Sequence, residues 1–242
     1  MNSIVTDKLT KKYGEITAVD NLSLEVRRGE LFSLLGVNGA GKTTAIKMLT
    51  CLSRPTSGDA RFNGKSILDN TAEVKKIIAV SPQETAVAPA LTVLENLELI
   101  CGVFGLDKKK REEKIKELSD KLSLSEVLSR KAGKLSGGWQ RRLSIAMALI
   151  SEPEILFLDE PTLGLDVIAR SELWDIIRSL KGRVTIILTT HYMEEAEALS
   201  DRVAIMSRGR LLISDTAENI KKAGKAESFE EAFINIVKEA GK

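Results

Sequence analysis

The 242-residue sequence has few of the residues that build disulfide-bonded or zinc-stabilised proteins. Its two cysteines, Cys51 and Cys101, lie far apart and form no C-x-x-C motif. This spacing predicts neither a disulfide framework nor a zinc site, and it favours a reducing compartment such as the cytosol.

Long apolar runs are also lacking. No stretch approaches the roughly 18–20 uninterrupted apolar residues of a membrane-spanning helix. The N-terminal residues MNSIVTDKLTKKYG lack the apolar segment of a signal peptide. We therefore expect no secretion signal, and we expect any membrane-spanning part to belong to another chain.

The sequence has no excess of charge of one sign. Lys and Arg number 36 and Asp and Glu 34, whereas nucleic-acid-binding proteins usually show a basic excess or a clustered basic face. The richest basic cluster, DKKKREEKIK at 107–116, is interrupted by Glu112 and Glu113, which is typical of a solvated helix face. We therefore predict no nucleic-acid partner.

Strand-like and helix-like segments alternate along most of the chain, with no repeats and no proline-rich linker. The run LFSLLGV (31–37) predicts a buried strand, a glycine loop and then a helix over TTAIKMLTCL. Further strands are predicted at IIAVS (77–81), EILFLD (154–159) and VTIILTT (184–190), and a hairpin turn at Arg208–Gly209. Such alternation predicts a largely parallel central sheet.

The strongest chemical signal is the P-loop pattern G-x-x-x-x-G-K-[ST], which covers Gly36 to Thr43 between the predicted strand and helix. Its glycines let backbone N–H groups surround phosphates, Lys42 reaches the β- and γ-phosphate oxygens, and the Thr43 hydroxyl ligates Mg²⁺. The pattern therefore predicts nucleoside triphosphate binding.

Acidic and polar residues follow three other predicted strands. ILFLDEP (155–161) delivers Asp159 and Glu160 to a strand end, where Asp159 would hold the metal and Glu160 would polarise the attacking water. His191, the only histidine, ends another strand, and Gln83 follows a third. Ligands bind at the carboxyl ends of parallel strands, so these residues are expected at one edge of the sheet.

A second anion-ready helix start lies at LSGGWQRRL (135–143). Ser136 is expected to cap the helix, while Gly137 and Gly138 leave the N–H groups of the first turn uncovered. Trp139 follows the glycines and is expected to pack against the helical region that precedes it.

Taken in order, the motifs resemble those of the nucleotide-binding subunits of ABC transporters. The set comprises Tyr13, GVNGAGKTT (36–44), Gln83, LSGG (135–138), ILFLDEP (155–161), GLD (164–166) and His191. Their order and spacing make the similarity more specific than a P-loop alone, and it covers essentially the whole chain. Departures from the family pattern are Trp139 in place of glutamine, Val37 in place of proline, and Leu163 in place of serine or asparagine.

The resemblance implies an α/β fold with a P-loop NTPase core, a central largely parallel sheet, an N-terminal antiparallel β region and an inserted helical subdomain. We expect one ABC-type ATPase domain over 1–242. Its α/β core would comprise 1–83 and 135–242, with a helical signature subdomain at about 84–134 and a short helical tail at about 215–242.

The resemblance also implies ATP hydrolysis with ATP and Mg²⁺ as cofactors. Catalysis is assigned to Lys42, Glu160 and His191, and the metal to Thr43, Gln83 and Asp159. The implied nucleotide-binding residues are Tyr13, Val19, Gly36, Asn38, Gly39, Ala40, Gly41, Lys42, Thr43 and Thr44.

Two such subunits are implied to enclose two ATP molecules head to tail, the second being another copy or a paralogue. Leu135, Ser136, Gly137 and Gly138 of one subunit would then meet the γ-phosphate that the other subunit holds, with Asp166 at the interface. A phosphate bridging two chains explains why one chain carries two anion-ready helix starts and only one P-loop.

Finer similarity lies in HYMEEAEAL after the histidine and in the tail SFEEAFINIV, which resemble exporter ATPases of the daunorubicin-resistance and lipid-exporter group. We expect a cytoplasmic subunit at the inner face of the cell membrane, powering a separate permease for a drug, lipid or other hydrophobic substrate.

Three alternative functions differ from this one in the motifs that they require. GTPases need N-K-x-D and D-x-x-G elements, which the sequence lacks. A switch that only dimerises on ATP is disfavoured because Glu160 and His191 are both present. A soluble ABC ATPase acting on DNA or ribosomes stays as the alternative function, although the long coiled-coil insertions, zinc-binding cysteines and tandem halves of such proteins are missing.

Overall fold

The structure is a computed structural model that describes residues 2–241. Met1 and Lys242, where the predicted domain begins and ends, lie outside the described residues. The strands over 2–241 are β1 (Asn2–Tyr13), β2 (Ile16–Leu22), β3 (Glu25–Arg27), β4 (Leu31–Leu35), β5 (Ser57–Phe62), β6 (Lys65–Ser66), β7 (Ile78–Ser81), β8 (Ile155–Asp159), β9 (Thr185–Thr190), β10 (Arg202–Ser207) and β11 (Arg210–Asp215).

Helices alternate with these strands. They are α1 (Lys42–Leu49), α2 (Thr71–Ile77), α3 (Val93–Val103), α4 (Lys108–Lys121), α5 (Gly137–Leu149), α6 (Val167–Leu180), α7 (Met193–Leu199), α8 (Ala217–Ala223) and α9 (Phe229–Glu239), with short 3₁₀ turns at Ser125–Val127 and Ala132–Lys134. Among the helices described over 2–241, none is long and apolar enough to cross a membrane.

The central sheet has six strands in the order β11-β10-β4-β9-β8-β7. All neighbours pair in parallel except β10 and β11, which form an antiparallel hairpin. Every residue of β4, β8 and β9 is buried, as expected for parallel strands covered on both faces. The predicted α/β fold with a largely parallel sheet is confirmed.

The N-terminal β region is antiparallel, as predicted, with the order β2-β1-β5-β6 and β3 paired to β1. Residues 16–30 contain both β2 and β3. The reason lies in β1, whose second half pairs with β2 and whose first half pairs with β3. Left-handed backbone at Lys8 and at Asn21 (φ 46° and 51°) accompanies this exchange of partner.

Two elements near the N-terminal sheet were not anticipated from sequence. β5 and β6 form a hairpin across Asn63 and Gly64, whose φ values of 47° and 85° suit the tight turn that an Asn-Gly pair favours. Helix α2 follows this hairpin directly. The Asn-Gly signal was present in the sequence and would have located the hairpin.

Residues 84–134 contain α3, α4 and both 3₁₀ turns, and β pairing there is limited to one isolated bridge between Thr92 and Lys131. Helix α3 begins with a capping box between Thr92 and Glu95. Its buried face joins the cores of α4, α5 and strand β8 in one cluster, which includes Leu97, Leu118 and Leu143. The helical segment is therefore packed onto the sheet, and its division from the core as a subdomain stays a prediction.

Candidate active site

A cavity of about 720 Å³ opens at the carboxyl edge of the central sheet. It collects residues from the loops after β4, β7, β8, β9 and β10, together with the β1–β2 turn. Its lining residues are Tyr13, Ile16, Thr17, Ala18, Asn38, Gly39, Ala40, Gly41, Lys42, Thr43, Thr44, Gln83, Glu160, Leu163, His191, Arg208 and Gly209. Most of the predicted nucleotide-binding and catalytic residues therefore meet in one cavity.

The loop between β4 and α1 depends on its glycines. Gly39 and Gly41 have φ values of 81° and 101°, in the left-handed region. A Cβ atom on Gly41 would stand 2.5 Å from the Ala18 carbonyl oxygen, whereas a Cβ on Gly39 would meet nothing within 4 Å. In the described chain no side chain caps α1 at Gly41, so the N–H groups of its first turn are open to an anion.

Lys42 places a buried ammonium group at the start of α1. Its Nζ donates to the Gly36 carbonyl at 2.6 Å and lies 3.4 Å from Oε1 of Glu160. Gly36 itself is buried where β4 ends, and a Cβ there would collide with the Met206 carbonyl oxygen at 2.5 Å. Gly36 lies outside the cavity lining. It contributes to the site by allowing the loop to pass close to Met206 and by accepting a hydrogen bond from Lys42.

Glu160 is held in a strained backbone conformation directly after β8. Its φ of 49° is left-handed, which costs a residue with a side chain about 1–3 kcal/mol. The backbone N–H of Glu160 donates to the carbonyl and to the hydroxyl of Thr189 on β9, both at 3.1 Å. Its carboxylate bridges two strand ends, because Oε2 lies 2.8 Å from His191 Nδ1 and Oε1 faces Lys42.

The predicted metal ligands are hard oxygen donors. Thr43 and Gln83 line the cavity, while Asp159 is buried just behind it and accepts a hydrogen bond from the Thr189 hydroxyl at 2.5 Å. Over residues 2–241 no cluster of three or more His, Cys, Asp and Glu could hold a metal alone. One carboxylate with a hydroxyl and an amide suits Mg²⁺, which binds proteins through few ligands and completes its shell with phosphate oxygens and water.

The far end of the cavity is formed by β1, β2 and the β10–β11 turn. Tyr13 is half exposed there, beside Lys11, whose Nζ lies 5.2 Å from the ring centroid. Val19, assigned to the nucleotide by resemblance, is fully buried in the core and lies outside the lining. Ile16, Thr17 and Ala18 present the accessible part of β2, and the assignment of Val19 to the nucleotide stays a prediction.

The turn at Arg208–Gly209 was located from sequence but not placed at the site. The Gly209 N–H donates to the Ala40 carbonyl at 3.0 Å, and the Gly209 carbonyl accepts from the Asp20 N–H at 2.8 Å. These bonds join the turn to the phosphate-binding loop and to β2, so Arg208 and Gly209 line the cavity. Only the tertiary pairing of β10 with β4 brings them there.

The LSGG segment lies outside this cavity. Ser136 and Gly137 are exposed, Gly138 is half-buried and Leu135 is buried. Ser136 occupies the N-cap position of α5, but in the described chain its side chain accepts no helix N–H, so the predicted serine cap is wrong. Because the hydroxyl makes no cap, the first turn of α5 is left with its N–H groups open.

The start of α5 adjoins the start of α6. A Cβ on Gly138 would stand 3.2 Å from the Ala169 side chain, so glycine allows a close approach. Asp166 caps α6 by accepting from the N–H groups of Ile168 and Ala169 at 3.0 and 2.9 Å. The structure therefore brings Asp166 and the LSGG segment to neighbouring surface positions.

Trp139 packs rather than facing the cavity. It is half-buried against the core cluster that the helical segment shares with the sheet. The guanidinium of Arg142 lies 4.8 Å from its ring centroid and forms an ion pair with Glu172 of α6. This agrees with the packing role expected from sequence.

Two buried charged residues near the site were not identified from sequence. Arg141 of α5 donates to the Pro82 carbonyl at 2.8 Å, next to Gln83, and burial lowers the pKa of its guanidinium. Glu195 of α7 is fully buried, and burial raises the pKa of its carboxyl, with a smaller contribution from Glu160. Neither position carries a local pattern that marks it.

Residues 19–163 match the sequence model of the ABC transporter family. Since this match spans more than half of the chain, the chain belongs to the ABC transporter family. It is an ATP-binding subunit of that family and an ATPase.

Related proteins agree with this assignment. The doxorubicin resistance ATP-binding protein DrrA of Mycobacterium tuberculosis is 40% identical over 222 residues, which are 90% of this chain and 67% of that protein. The daunorubicin resistance ATP-binding protein DrrA3 of Streptomyces coeruleorubidus is 38% identical over 240 residues, 99% of this chain and 75% of that protein.

A solved structure supports the same family and a second one supports the fold. An ATP-binding subunit of an ABC transporter superposes with a TM-score of 0.85 at 28% identity, covering 96% of this chain and 98% of that one. CbiO1 of Clostridium perfringens, part of the ABC transporter complex cbiONQ, gives a TM-score of 0.83 at 23% identity and the same coverage.

Proposed function

We propose that this chain hydrolyses ATP at the cavity described above and thereby powers export through a separate membrane permease. The observation that carries the proposal is the position of Glu160. Its carboxylate joins Lys42 at the phosphate-binding loop to His191 on the neighbouring strand end, at 3.4 and 2.8 Å. Water approaching a γ-phosphate beside Lys42 would meet this carboxylate.

The chemistry we propose is positioning and charge stabilisation of an in-line phosphoryl transfer to water. Lys42 and the open N–H groups of α1 bind the β- and γ-phosphates. Glu160 accepts the proton of the attacking water, and His191 holds the Glu160 carboxylate in orientation. Thr43, Gln83 and Asp159 would hold Mg²⁺, and the charge of the ion would offset part of the negative charge of the phosphates.

Nucleotide recognition is proposed to begin at Tyr13, whose exposed ring offers a stacking face for adenine. Asn38, Gly39, Ala40, Gly41 and Thr44 then surround the phosphates with backbone and hydroxyl donors. In this arrangement the cavity wall beside the nucleotide is formed by Ile16 to Ala18 and by Arg208.

A dimer is proposed to complete the site. Ser136, Gly137 and Gly138 are accessible at an uncapped helix start, yet they lie outside the cavity that holds Lys42. A second copy or a paralogue, placed head to tail, would bring that helix start to the γ-phosphate, with Asp166 beside it. ATP would then favour the closed dimer and hydrolysis would release it.

Export is proposed because the similar DrrA proteins carry drug-resistance names. We infer a drug, lipid or other hydrophobic substrate, a permease as partner, and a place on the cytoplasmic face of the cell membrane. The helical segment at about 84–134 is proposed as a subdomain that bears the permease contact. The similar solved structure at 28% identity is an ATP-binding subunit of an ABC transporter, and the DrrA proteins carry drug-resistance names, so both favour this function over a soluble ATPase acting on DNA or ribosomes.

Substitution of Glu160 tests the proposal. We expect Glu160→Gln to lower the ATP hydrolysis rate by about 100-fold or more, because the amide cannot accept the proton of the attacking water. ATP affinity should persist, because the phosphate donors are unchanged. Phosphate release and nucleotide binding, measured on the same preparation of the full chain, give both quantities.

A second variant separates binding from chemistry. Lys42→Ala removes the buried ammonium group and should lose most of the ATP affinity. Hydrolysis by Glu160→Gln at the parental rate would show that Glu160 is not the general base. Unchanged nucleotide binding by Lys42→Ala would show that the cavity is not the ATP site.

A further inference from the structure

The catalytic pair Glu160 and His191 stands on two separate loops, which follow the adjacent strands β8 and β9. The 2.8 Å contact between the two side chains requires these loops to keep a fixed spacing. Glu160 adopts a left-handed backbone, which persists only when its surroundings determine it. Residues that join the two loops therefore bear on the position of the carboxylate.

Glu195 makes such a connection beneath the cavity. It belongs to the first turn of α7, which begins just after His191, and its side chain is fully buried. Its Oε1 accepts from the Thr162 hydroxyl at 2.8 Å and from Trp174 Nε1 at 3.1 Å. Thr162 lies just beyond Glu160 in the loop after β8, and Trp174 lies on α6.

We propose that Glu195 is a positioning residue that fastens the Glu160 loop to the His191 segment, and so holds the general base in its working orientation. The inference rests on the assignment of Glu160 and His191 made above. Glu195 touches neither nucleotide nor water in this scheme. It acts through Thr162 on one loop and through the start of α7 on the other.

A purely structural role accounts less well for an acid at this position. Its second oxygen, Oε2, has no hydrogen-bond partner among the described residues. Burying a carboxyl with an unpartnered oxygen costs free energy that an apolar side chain of similar size would avoid. An acceptor for two donors from two elements is the feature that an apolar residue cannot supply.

Two substitutions of Glu195 separate the acceptor from the packing. Glu195→Gln keeps a carbonyl oxygen that accepts from both Thr162 and Trp174, whereas Glu195→Leu fills the space without an acceptor. In the full chain we expect Glu195→Leu to lower kcat by about 10–100-fold, because a misplaced base is costly, with KM and ATP affinity changed less than about twofold. Glu195→Gln should retain most of the parental kcat.

Thr162→Val provides a second route if Glu195→Leu fails to fold. It removes one donor at similar volume and should lower kcat in the same way, with ATP affinity unchanged. Glu197→Gln is the matched control, because Glu197 lies on the same helix, is exposed and pairs with Lys221. Its kcat should equal that of the parent.

Combining Glu195→Leu with His191→Ala shows whether Glu195 acts on kcat through the orientation of Glu160. In a His191→Ala background, Glu195→Leu should cost much less than it does alone, since both act on the orientation of Glu160. The proposal is overturned if kcat is unchanged in Glu195→Leu and Thr162→Val, or if Glu195→Gln lowers kcat as much as Glu195→Leu does. It is also overturned if KM and kcat fall together in these variants. A third contrary result would be that the effects of Glu195→Leu and His191→Ala on kcat add in the double variant. Activity of Glu160→Gln would instead refute the proposed function, so the two failures are distinguishable.

Discussion

Trp139 occupies the position at which ABC subunits commonly carry glutamine, directly after the glycines of LSGG. Its ring stacks on Arg142, and Arg142 pairs with Glu172 on α6. Through these contacts Trp139 helps to hold the first turn of α5 against α6, and the contacts leave the N–H groups of that turn open. We therefore expect Trp139 to stabilise the fold and not to contact ATP that is bound in the same chain.

We expect Trp139→Ala to lower the free energy of unfolding by about 2 kcal/mol, less than the 3–5 kcal/mol of a fully buried aromatic residue. The loss combines apolar burial with the cation–π contact to Arg142. Urea unfolding followed by circular dichroism measures it, with Trp139→Phe as the matched variant that keeps a ring. A fall in ATP affinity of the isolated chain, without loss of stability, would contradict this assignment.

At the scale of single residues, contiguous patterns predicted the geometry of the phosphate-binding loop well. Gly39, Gly41 and Lys42 lie where the pattern puts them because loop geometry is set by immediate neighbours. The burial of Val19 was not predicted, since which side of β2 is accessible depends on how the sheet packs. Arg208 was missed for the same reason, because a parallel pairing across most of the chain places it at the cavity.

Helix α7 is an element in which electrostatics and stability are coupled. Burial raises the pKa of the Glu195 carboxyl above its value in the unfolded chain. Below the ordinary glutamate pKa of roughly 4.3, both states hold the proton, so the raised pKa makes no contribution to the free energy of unfolding. Above it, the unfolded state releases the proton first, so this residue destabilises the fold increasingly until the folded pKa is passed.

Glu195→Gln removes that dependence while keeping the acceptor. We expect the variant to match the parent in stability near pH 4, and to become more stable than the parent as the pH rises, by up to about 1.4 kcal/mol for each pH unit above the unfolded pKa. Urea unfolding of both proteins from pH 4 to 8 gives the difference. A difference that is constant across this range would show that the carboxyl titrates alike in both states.

Elements with long apolar runs or clear periodicity were predicted, including β4, β8, β9 and α1. The α2 helix was not, because a seven-residue segment carries too few turns to show a period. The serine cap of α5 was predicted wrongly, since the direction of a hydroxyl is decided by packing and not by its place in the sequence. The unpredicted helix and the wrongly predicted cap are both local features, and neither changes the order of the strands in the sheet.

At the scale of the whole molecule, one chain presents two anion-ready helix starts on separate surfaces. The first turn of α1 faces the cavity, whereas the first turn of α5 lies outside it with Ser136 and Gly137 exposed. The proposed head-to-tail dimer is the arrangement in which one phosphate meets both. This arrangement predicts that blocking α5 leaves ATP binding intact and abolishes assembly.

Ser136→Arg places a long side chain over the start of α5 and tests that expectation. In a Glu160→Gln background, where ATP is retained, we expect the isolated variant to bind ATP normally and to elute as a monomer during size-exclusion chromatography with ATP. Ser129→Arg is the control, since Ser129 is also an exposed serine in a turn before α5, and it should still dimerise. A stable ATP-dependent dimer of Ser136→Arg would refute the shared-phosphate arrangement.

The bond from the Gly209 N–H to the Ala40 carbonyl has a consequence for how the chain acquires its activity during synthesis. Its two ends are separated by most of the sequence, so the phosphate-binding loop gains this support only after β10 has emerged from the ribosome and paired with β4. A nascent chain that stops before residue 209 contains the whole P-loop pattern but lacks this support. We therefore expect the phosphate-binding loop to reach its final geometry late in synthesis, although its sequence motif is translated early.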